Sequence, residues 1–107
     1  MSTSQASGSQ TATVTTEHTL ATVTSAGTFT LTVDLSNMAL GDKLTLRSKL
    51  KVRSTGTTRL VDVGHYAHVQ ERLVSVSIPL PTVTEAVFTL EQTAGTGRAF
   101  EWEVAKD

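Results

Sequence analysis

The chain has 107 residues, a formal net charge of -1 at pH 7 and no cysteine. A chain of this length fills one hydrophobic core, so we expect one folded domain. The lack of cysteine excludes disulfides, thiolate nucleophiles and cysteine-ligated zinc. The nearly neutral charge balance gives no overall attraction to nucleic acid or to an anionic membrane, so neither is expected as a partner.

The first sixteen residues, 1–16, form a polar arm that precedes a domain at 17–107. The arm reads MSTSQASGSQTATVTT, and such a segment buries too little apolar surface to offset its ordering entropy. We therefore predict a flexible or extended arm that becomes ordered on a partner, with Thr11, Thr13 and Val14 in the contact. It has neither the basic start nor the apolar stretch of a secretory signal, so we expect no signal peptide.

From Thr19 onward apolar residues recur at every second position, which predicts half-buried strands and disfavours helices. The clearest run is 28–35, in which Phe, Leu, Val and Leu alternate with Thr and Asp. The turn Ser25-Ala26-Gly27 before it suits a hairpin that pairs Val23 with Phe29. Residues 36–42 break the alternation and predict a connection with one helical turn.

A second hairpin is predicted from 44–52 and 61–69. Both apolar sets share one face only if Val52 lies opposite Val61, because a slip of one residue turns a whole face outward. That register leaves Gly56-Thr57 as the centre of a type II′ turn.

A third hairpin would pair Leu90 with Phe100 and Phe88 with Trp102, with the glycine-rich residues 94–97 in its loop. A further strand at 74–80 is ended by prolines at 79 and 81. About seven to eight short strands at this spacing predict an all-β fold, an antiparallel β-sandwich or jelly roll with the N-terminal arm attached.

Two groups of side chains are candidate sites of chemistry. His65 and His68 are three apart on a strand and so point to opposite sides, and His65 is expected near the core, bonded to Ser48. Glu101 and Glu103 lie about 7 Å apart on one strand face, a spacing compatible with paired catalytic carboxylates, but they read as the solvated side of a core strand. We predict no catalytic, cofactor or metal site and no enzymatic activity.

A basic stripe is the sharpest predicted surface feature. It consists of Arg47, Lys49, Lys51 and Arg53, at alternate positions of one strand. In the predicted register Lys51 faces Asp62 and Arg47 faces Tyr66. The stripe is either a solvated face that discourages edge pairing or a surface that docks on an acidic protein. Nucleic acid is the third interpretation, disfavoured by the negative net charge and by the scarcity of aromatic residues on which bases could stack.

The aromatic residues Phe88, Phe100 and Trp102 also admit two interpretations. Their alternation with Glu and Thr favours a place in the core. The alternative is a platform on which sugar rings stack, as in carbohydrate-binding sandwiches.

The whole pattern resembles the small β-sandwich proteins in the structural modules of tailed bacteriophages, among them head decoration or cement proteins. The resemblance is carried in size and style by the Ser/Thr arm and the segments GTFTLTVDLSNMALGDKLTLRSKLKV, RLVDVGHYAHVQ and EAVFTLEQTAGTGRAFEWEV. It implies a virion protein, commonly a trimer, whose extended arm makes part of the contact. It carries over no functional residue.

We therefore expect a non-enzymatic virion structural protein, a capsid decoration or cement protein assembled in the host cytoplasm. Its expected partners are the major capsid protein and its own copies, as a homotrimer. The alternative is a carbohydrate-binding or adhesin module of a phage tail or a secreted protein.

Overall fold

The described part of the protein, residues 3–82 and 84–107 of a computed structural model, contains nine β-strands and no helix. The strands are β1 (Thr3–Thr11), β2 (Glu17–Val23), β3 (Gly27–Asp34), β4 (Lys43–Lys51), β5 (Thr58–Ala67), β6 (Val74–Val76), β7 (Leu80–Thr82), β8 (Glu85–Ala94) and β9 (Ala99–Lys106). The predicted all-β fold is confirmed.

The strands form two antiparallel sheets. Sheet A has the order β1-β9-β3-β6, with β7 also on β3, and sheet B has the order β2-β8-β4-β5. β6 pairs with residues 32–34 and β7 with residues 27–29, so together they make one interrupted edge strand along β3. Counted this way, eight strands wind between two four-stranded sheets, which is the arrangement of a jelly roll.

The core lies between the two sheets and is built from alternate residues of the inner strands. Its fully buried aromatic side chains are Phe29 of β3, Phe88 of β8 and Phe100 of β9, all at 0% exposure. β4, the neighbour of β8 in sheet B, contributes Leu44 and Leu46. The alternation of 28–35 and of the last two long strands therefore correctly identified their inner faces.

Two of the three predicted hairpins are wrong. β2 pairs with β8 rather than with β3, so Val23 lies opposite Ala86 and not opposite Phe29. Likewise β8 and β9 belong to different sheets, and Phe88 and Phe100 reach the same core from opposite sides. The short connections lead from one sheet to the other. The sequence pattern could not show this, because alternation fixes the buried face of a strand and not its neighbour.

The β4–β5 hairpin exists in a different register. Lys51 lies opposite Thr58, so residues 52–57 form a six-residue connection in place of the predicted two-residue turn. Val63 lies opposite Arg47 and is 41% exposed. The valine set of β5 thus faces outward, with Val61 at a β-bulge, and the predicted pairs Lys51–Asp62 and Arg47–Tyr66 do not form.

The inner face of β5 is polar instead. Asp62 lies opposite the buried Ser48, and Gly64 lies opposite Leu46. The ring of Tyr66 lies against Gly64, where an added Cβ would sit 3.0 Å from its ring and hydroxyl. The Tyr66 hydroxyl is 2.6 Å from Ser75 Oγ of β6, a contact that joins the edges of the two sheets.

Residues 36–42 form two turns in place of the predicted helical turn. The carboxylate of Asp34 accepts the N–H of Ser36 at 2.9 Å. This hydrogen bond, followed by one with the side chain of Ser36, lowers the pKa of Asp34.

Most of the predicted arm is a strand of the domain itself. Residues 3–11 form β1 and pair with β9 along the edge of sheet A. Ala12, directly after β1, is buried, and its N–H donates to the carbonyl of Arg98 at 2.8 Å. The surface that orders these residues is therefore supplied by the same chain.

Candidate functional site

Arg47 and Lys49 of the basic stripe lie on the outer face of sheet B, where acidic side chains of the same chain reach them. Arg47 pairs with Glu91 at 2.8 Å and with Glu17 at 3.6 Å, and Lys49 pairs with Glu17 at 3.0 Å. The hydroxyl of Thr89 also donates to Glu17 at 2.6 Å. That hydrogen bond, followed by the contact with Lys49, lowers the pKa of Glu17.

The other two stripe residues differ from this pair. Lys51 ends β4, half-buried, and its carbonyl accepts the hydroxyl of Thr84. Arg53 is exposed in the connection 52–57. The four cations are therefore not one free basic surface, because the first two are engaged with Glu17 and Glu91.

The three predicted arm contacts lie at the end of β1 and in the connection to β2. Thr11 is the last residue of β1 and is exposed. The N–H of Thr13 donates to Nε2 of His18 at 3.0 Å, so that nitrogen is unprotonated. Val14 is half-buried. These residues tie β1 to the domain.

His65 is exposed on the outer face of sheet B rather than near the core, and it contacts Thr45 Oγ1 at 3.2 Å instead of Ser48. Nδ1 of His68 accepts the N–H of Gly41 at 2.9 Å. Glu101 and Glu103 are exposed on sheet A. Among the described residues, no three His, Asp or Glu side chains are grouped in a way that would hold a metal ion.

A buried polar cluster that sequence reasoning missed holds one end of the sandwich. Asp42 is 1% exposed and accepts the N–H of Ala39 at 2.9 Å, the N–H of Thr96 at 3.1 Å and Nε of Arg98 at 2.9 Å. Burial, the largest single influence, raises the pKa of Asp42. The two backbone donors and Arg98 outweigh it and leave the pKa below its ordinary value.

The glycine-rich connection is shaped by this cluster. The amide of Gln92 is fully buried, donates to the carbonyl of Thr96 at 2.6 Å and accepts the N–H of Arg98 at 3.1 Å. Gly95 has φ +93°, and a Cβ there would lie 2.1 Å from Oδ1 of Asp42. The connection therefore has a structural role, and the glycines were the only sequence signal of it.

The candidate functional surface is the aliphatic side, formed by the neighbouring edge strands β5 and β6. Its members are Leu60, Val61 and Val63 on β5 and Leu73, Val74, Val76 and Ile78 in and around β6, each between 41% and 63% exposed. The β5 members lie on the outer face of sheet B and the β6 members on the outer face of sheet A, at the same side of the sandwich. Single exposed aliphatic residues are ordinary, but several of them on two edge strands at one side of a domain indicate an interaction surface.

Both edge strands are inverted, with their aliphatic residues pointing outward and polar residues pointing inward. On β6, Ser75 is 8% exposed while Val74 and Val76 are more than half exposed. The alternating apolar residues of 74–78 therefore point away from the core. The alternation itself was visible in the sequence, but alternation does not say which side is the core.

Next to these residues runs an open groove of about 410 Å3, lined by Tyr66, Gln70, Glu71, Arg72, Val74 and Val76 among others. It combines an aliphatic wall with a charged rim. That composition is typical of protein interfaces, which have an apolar centre and a polar border.

A second, wider groove of about 520 Å3 lies along sheet A. It is lined by Ser7, Thr32, Asp34, Glu101, Trp102 and Glu103, among others. Trp102 is half-buried, packs against the core and lies over Gly8. Phe88 and Phe100 are fully buried, so the three aromatic residues do not form one exposed platform.

No family model, no curated protein and no solved structure matches this chain. The described residues include no helix long and apolar enough to cross a membrane.

Proposed function

We propose that this protein is a non-enzymatic structural protein of a virion, a capsid decoration or cement protein that attaches to a phage shell through the residues of the aliphatic side in and around β6. The observation that carries the proposal is the inversion of β5 and β6. Two adjacent strands expose their aliphatic residues and turn polar residues to the core. Burying such residues against a partner removes apolar surface from water, at about 25 cal/mol for each Å2.

The fold supports the same class by analogy. Jelly rolls serve as viral capsid domains and as lectin domains, so the fold is compatible with a virion role without establishing it. The resemblance to phage structural proteins points the same way.

The aliphatic side replaces the basic stripe as the proposed docking surface. Arg47 and Lys49 already meet Glu17 and Glu91, so an acidic partner would have to displace these carboxylates. Val74, Val76 and Ile78 are uncharged and about half exposed or more, so a partner that covers them displaces no ion pair, and they are the contact we assign to the shell.

The test is co-sedimentation with a shell. The chain is co-expressed with the reading frames that flank its gene, and particles are pelleted by ultracentrifugation. We expect the chain in the pellet with an assembled shell, and we expect the variant Val74→Thr/Val76→Thr to remain in the supernatant, because threonine keeps the branched shape and removes apolar surface.

The matched control is Leu40→Thr/Val52→Thr, two residues that are 83% and 75% exposed outside the aliphatic side. This control variant should pellet like the parent chain. The proposal is wrong if the parent chain never pellets with any product of the flanking reading frames, or if the Val74→Thr/Val76→Thr variant pellets unchanged.

A second candidate function, carbohydrate binding, is supported by the groove along sheet A. Hydroxyl and carboxylate groups of Ser7, Thr32 and Glu101 line it together with Trp102, and such groups bind sugar hydroxyls while an indole packs on a sugar ring. Addition of a binding glycan should change Trp102 fluorescence, and the change should be lost in Glu101→Gln. An unresponsive Trp102 across a glycan panel eliminates this candidate.

A further inference from the structure

β5 is the longer of the two edge strands of sheet B, and in the described part of the chain it pairs with β4 alone. It is ten residues long, and β4 occupies one of its two sides. Its other side has no strand partner in the described part of the chain. Long edge strands with exposed aliphatic residues pair readily with other strands unless they are covered or charged.

The charges on this edge are few and of opposite sign. Arg59 and Asp62 lie three positions apart, separated by Leu60 and Val61. Neither Arg59 nor Asp62 forms an ion pair with another described residue. β5 therefore carries the sequence cation, aliphatic, aliphatic, anion.

The β-bulge brings the two charged residues to one face. In a regular strand, residues three apart point to opposite faces. Here Arg59 lies opposite Leu50 and Asp62 lies opposite Ser48, and both of those partners face the core. Leu60 lies opposite Lys49 on the outer face, and Val61 is the extra residue of the bulge.

This pattern is complementary to itself when it is reversed. In an antiparallel pairing of two β5 strands, centred between Leu60 and Val61, Arg59 of each copy lies opposite Asp62 of the other. Leu60 of each copy then lies opposite Val61 of the other. Residues directly opposite in an antiparallel pair have Cβ atoms about 4.5–5.5 Å apart, close enough for both ion pairs and both aliphatic contacts.

We propose that β5 is a self-association edge whose occupant is the β5 strand of a second copy of this chain, related by a twofold axis. A twofold interface uses the same patch on both copies, which is what this reversed pattern supplies. Pairing centred on Asp62 itself would place two carboxylates opposite each other, so the charges select one register.

The biological role of this dimer rests on the proposed function. In that function β5 joins two copies of the chain, and β6 remains available for the shell. The test of the dimer uses the purified full chain alone. A failure to dimerise therefore leaves shell attachment standing, and a failure of shell attachment leaves the dimer standing.

The test is sedimentation velocity of the parent chain and three variants over concentrations from about 10 μM to about 1 mM. The parent chain should form dimers. The twofold dimer has two equivalent contacts between positions 59 and 62. Arg59→Asp places two carboxylates opposite each other at both contacts, and Asp62→Arg places two guanidinium groups opposite each other at both. Each should raise the dimer dissociation constant at least about tenfold.

The decisive variant is the exchange Arg59→Asp/Asp62→Arg, which has the parent composition and restores both opposite-charge contacts. It should return the dissociation constant to within about threefold of the parent value. Lys43→Asp makes the same change of net charge as Arg59→Asp at the other end of the hairpin; it is the control and should dimerise like the parent.

Circular dichroism and Trp102 fluorescence establish that each variant is folded. If a reversal does not fold, Arg59→Gln and Asp62→Asn replace it and must still weaken the dimer. The proposal is overturned by a parent chain that stays monomeric, by a trimer, by reversals without effect on the dimer, or by a folded exchange variant that does not recover it.

Discussion

The two open sides of the sandwich are bordered by edge strands of contrasting character. β1, on one side, contains only Ser, Thr, Gln, Gly and Ala, and none of its side chains is fully buried. β5 and β6, on the other side, expose aliphatic residues while Asp62 and Ser75 face inward. An edge strand can thus avoid pairing with other strands by carrying polar side chains, or it can carry apolar side chains that another molecule covers.

The side of the sandwich that contains β1, the polar side, is anchored by the residues directly after β1 and by neighbouring connections, since β1 has no face buried in the core. The N–H of Ala12 donates to Arg98, and the N–H of Thr15 donates to Gln92 at 2.7 Å. Asp42 fixes the connection that carries Arg98. Changes at this cluster should therefore be strongly destabilising, whereas changes at the interface residues should leave the fold stable.

Gly95→Ala should have the largest effect on stability. The new Cβ would collide with Asp42, and φ of +93° is strained for any residue with a Cβ. We expect a loss of about 3 kcal/mol or more in the free energy of unfolding, measured by urea titration.

Gly8→Ala on β1 is the matched glycine control. Its Cβ would meet Trp102 at 3.4 Å, an ordinary contact, so stability should change by less than about 1 kcal/mol. Equal losses for the two variants would contradict the contrast between the anchored connection and the loosely packed edge.

Acid should destabilise the protein through the carboxylates of the polar side and its neighbouring connections. The pKa values of Asp42 and Glu17 are lowered in the folded state. The stability they contribute is therefore present above their unfolded pKa values, about 4, and is lost as the pH falls through the lower folded values. In urea titrations from pH 6 to pH 2, the midpoint concentration of urea should stay constant down to about pH 4 and decrease at lower pH.

Asp42→Asn should show a smaller fall over the same range, because it removes one of the groups that must be protonated. A parent midpoint that does not change with pH would show that these hydrogen-bonded carboxylates do not contribute.

Lys49→Gln should have the smallest effect. The pair with Glu17 links β2 to β4, but both side chains are partly exposed, at 28% and 35%. We expect a loss of about 0.5 kcal/mol that shrinks with added salt. Arg53→Gln, in the exposed connection, should change nothing, and an equal loss there would show that the Lys49 pair is not special.

The sequence was sufficient to predict the fold class and most of the core, because period-two alternation is a local property. It correctly placed Phe29, Phe88 and Phe100 inside. It did not give the strand neighbours, since short turns can cross between sheets as readily as they close a hairpin. The buried cluster of Asp42 and Gln92 was also missed, because its partners are brought together only by the fold.

The candidate surface was missed for a related reason. Val63 and Val76 have the same alternation as core residues, and only the pairing of β5 with β4 and of β6 with β3 shows that they point outward. The basic stripe was visible in the sequence, but its partners Glu17 and Glu91 lie on other strands.

Amide hydrogen exchange at low and high protein concentration tests the central contrast between the two sides most directly. The account predicts that the amides of residues 59–63 on β5 gain protection as concentration rises, while those of residues 3–11 on β1 do not change. Protection gained on β1 with none on β5 would contradict it, because the polar strand would then be the edge that binds a second copy.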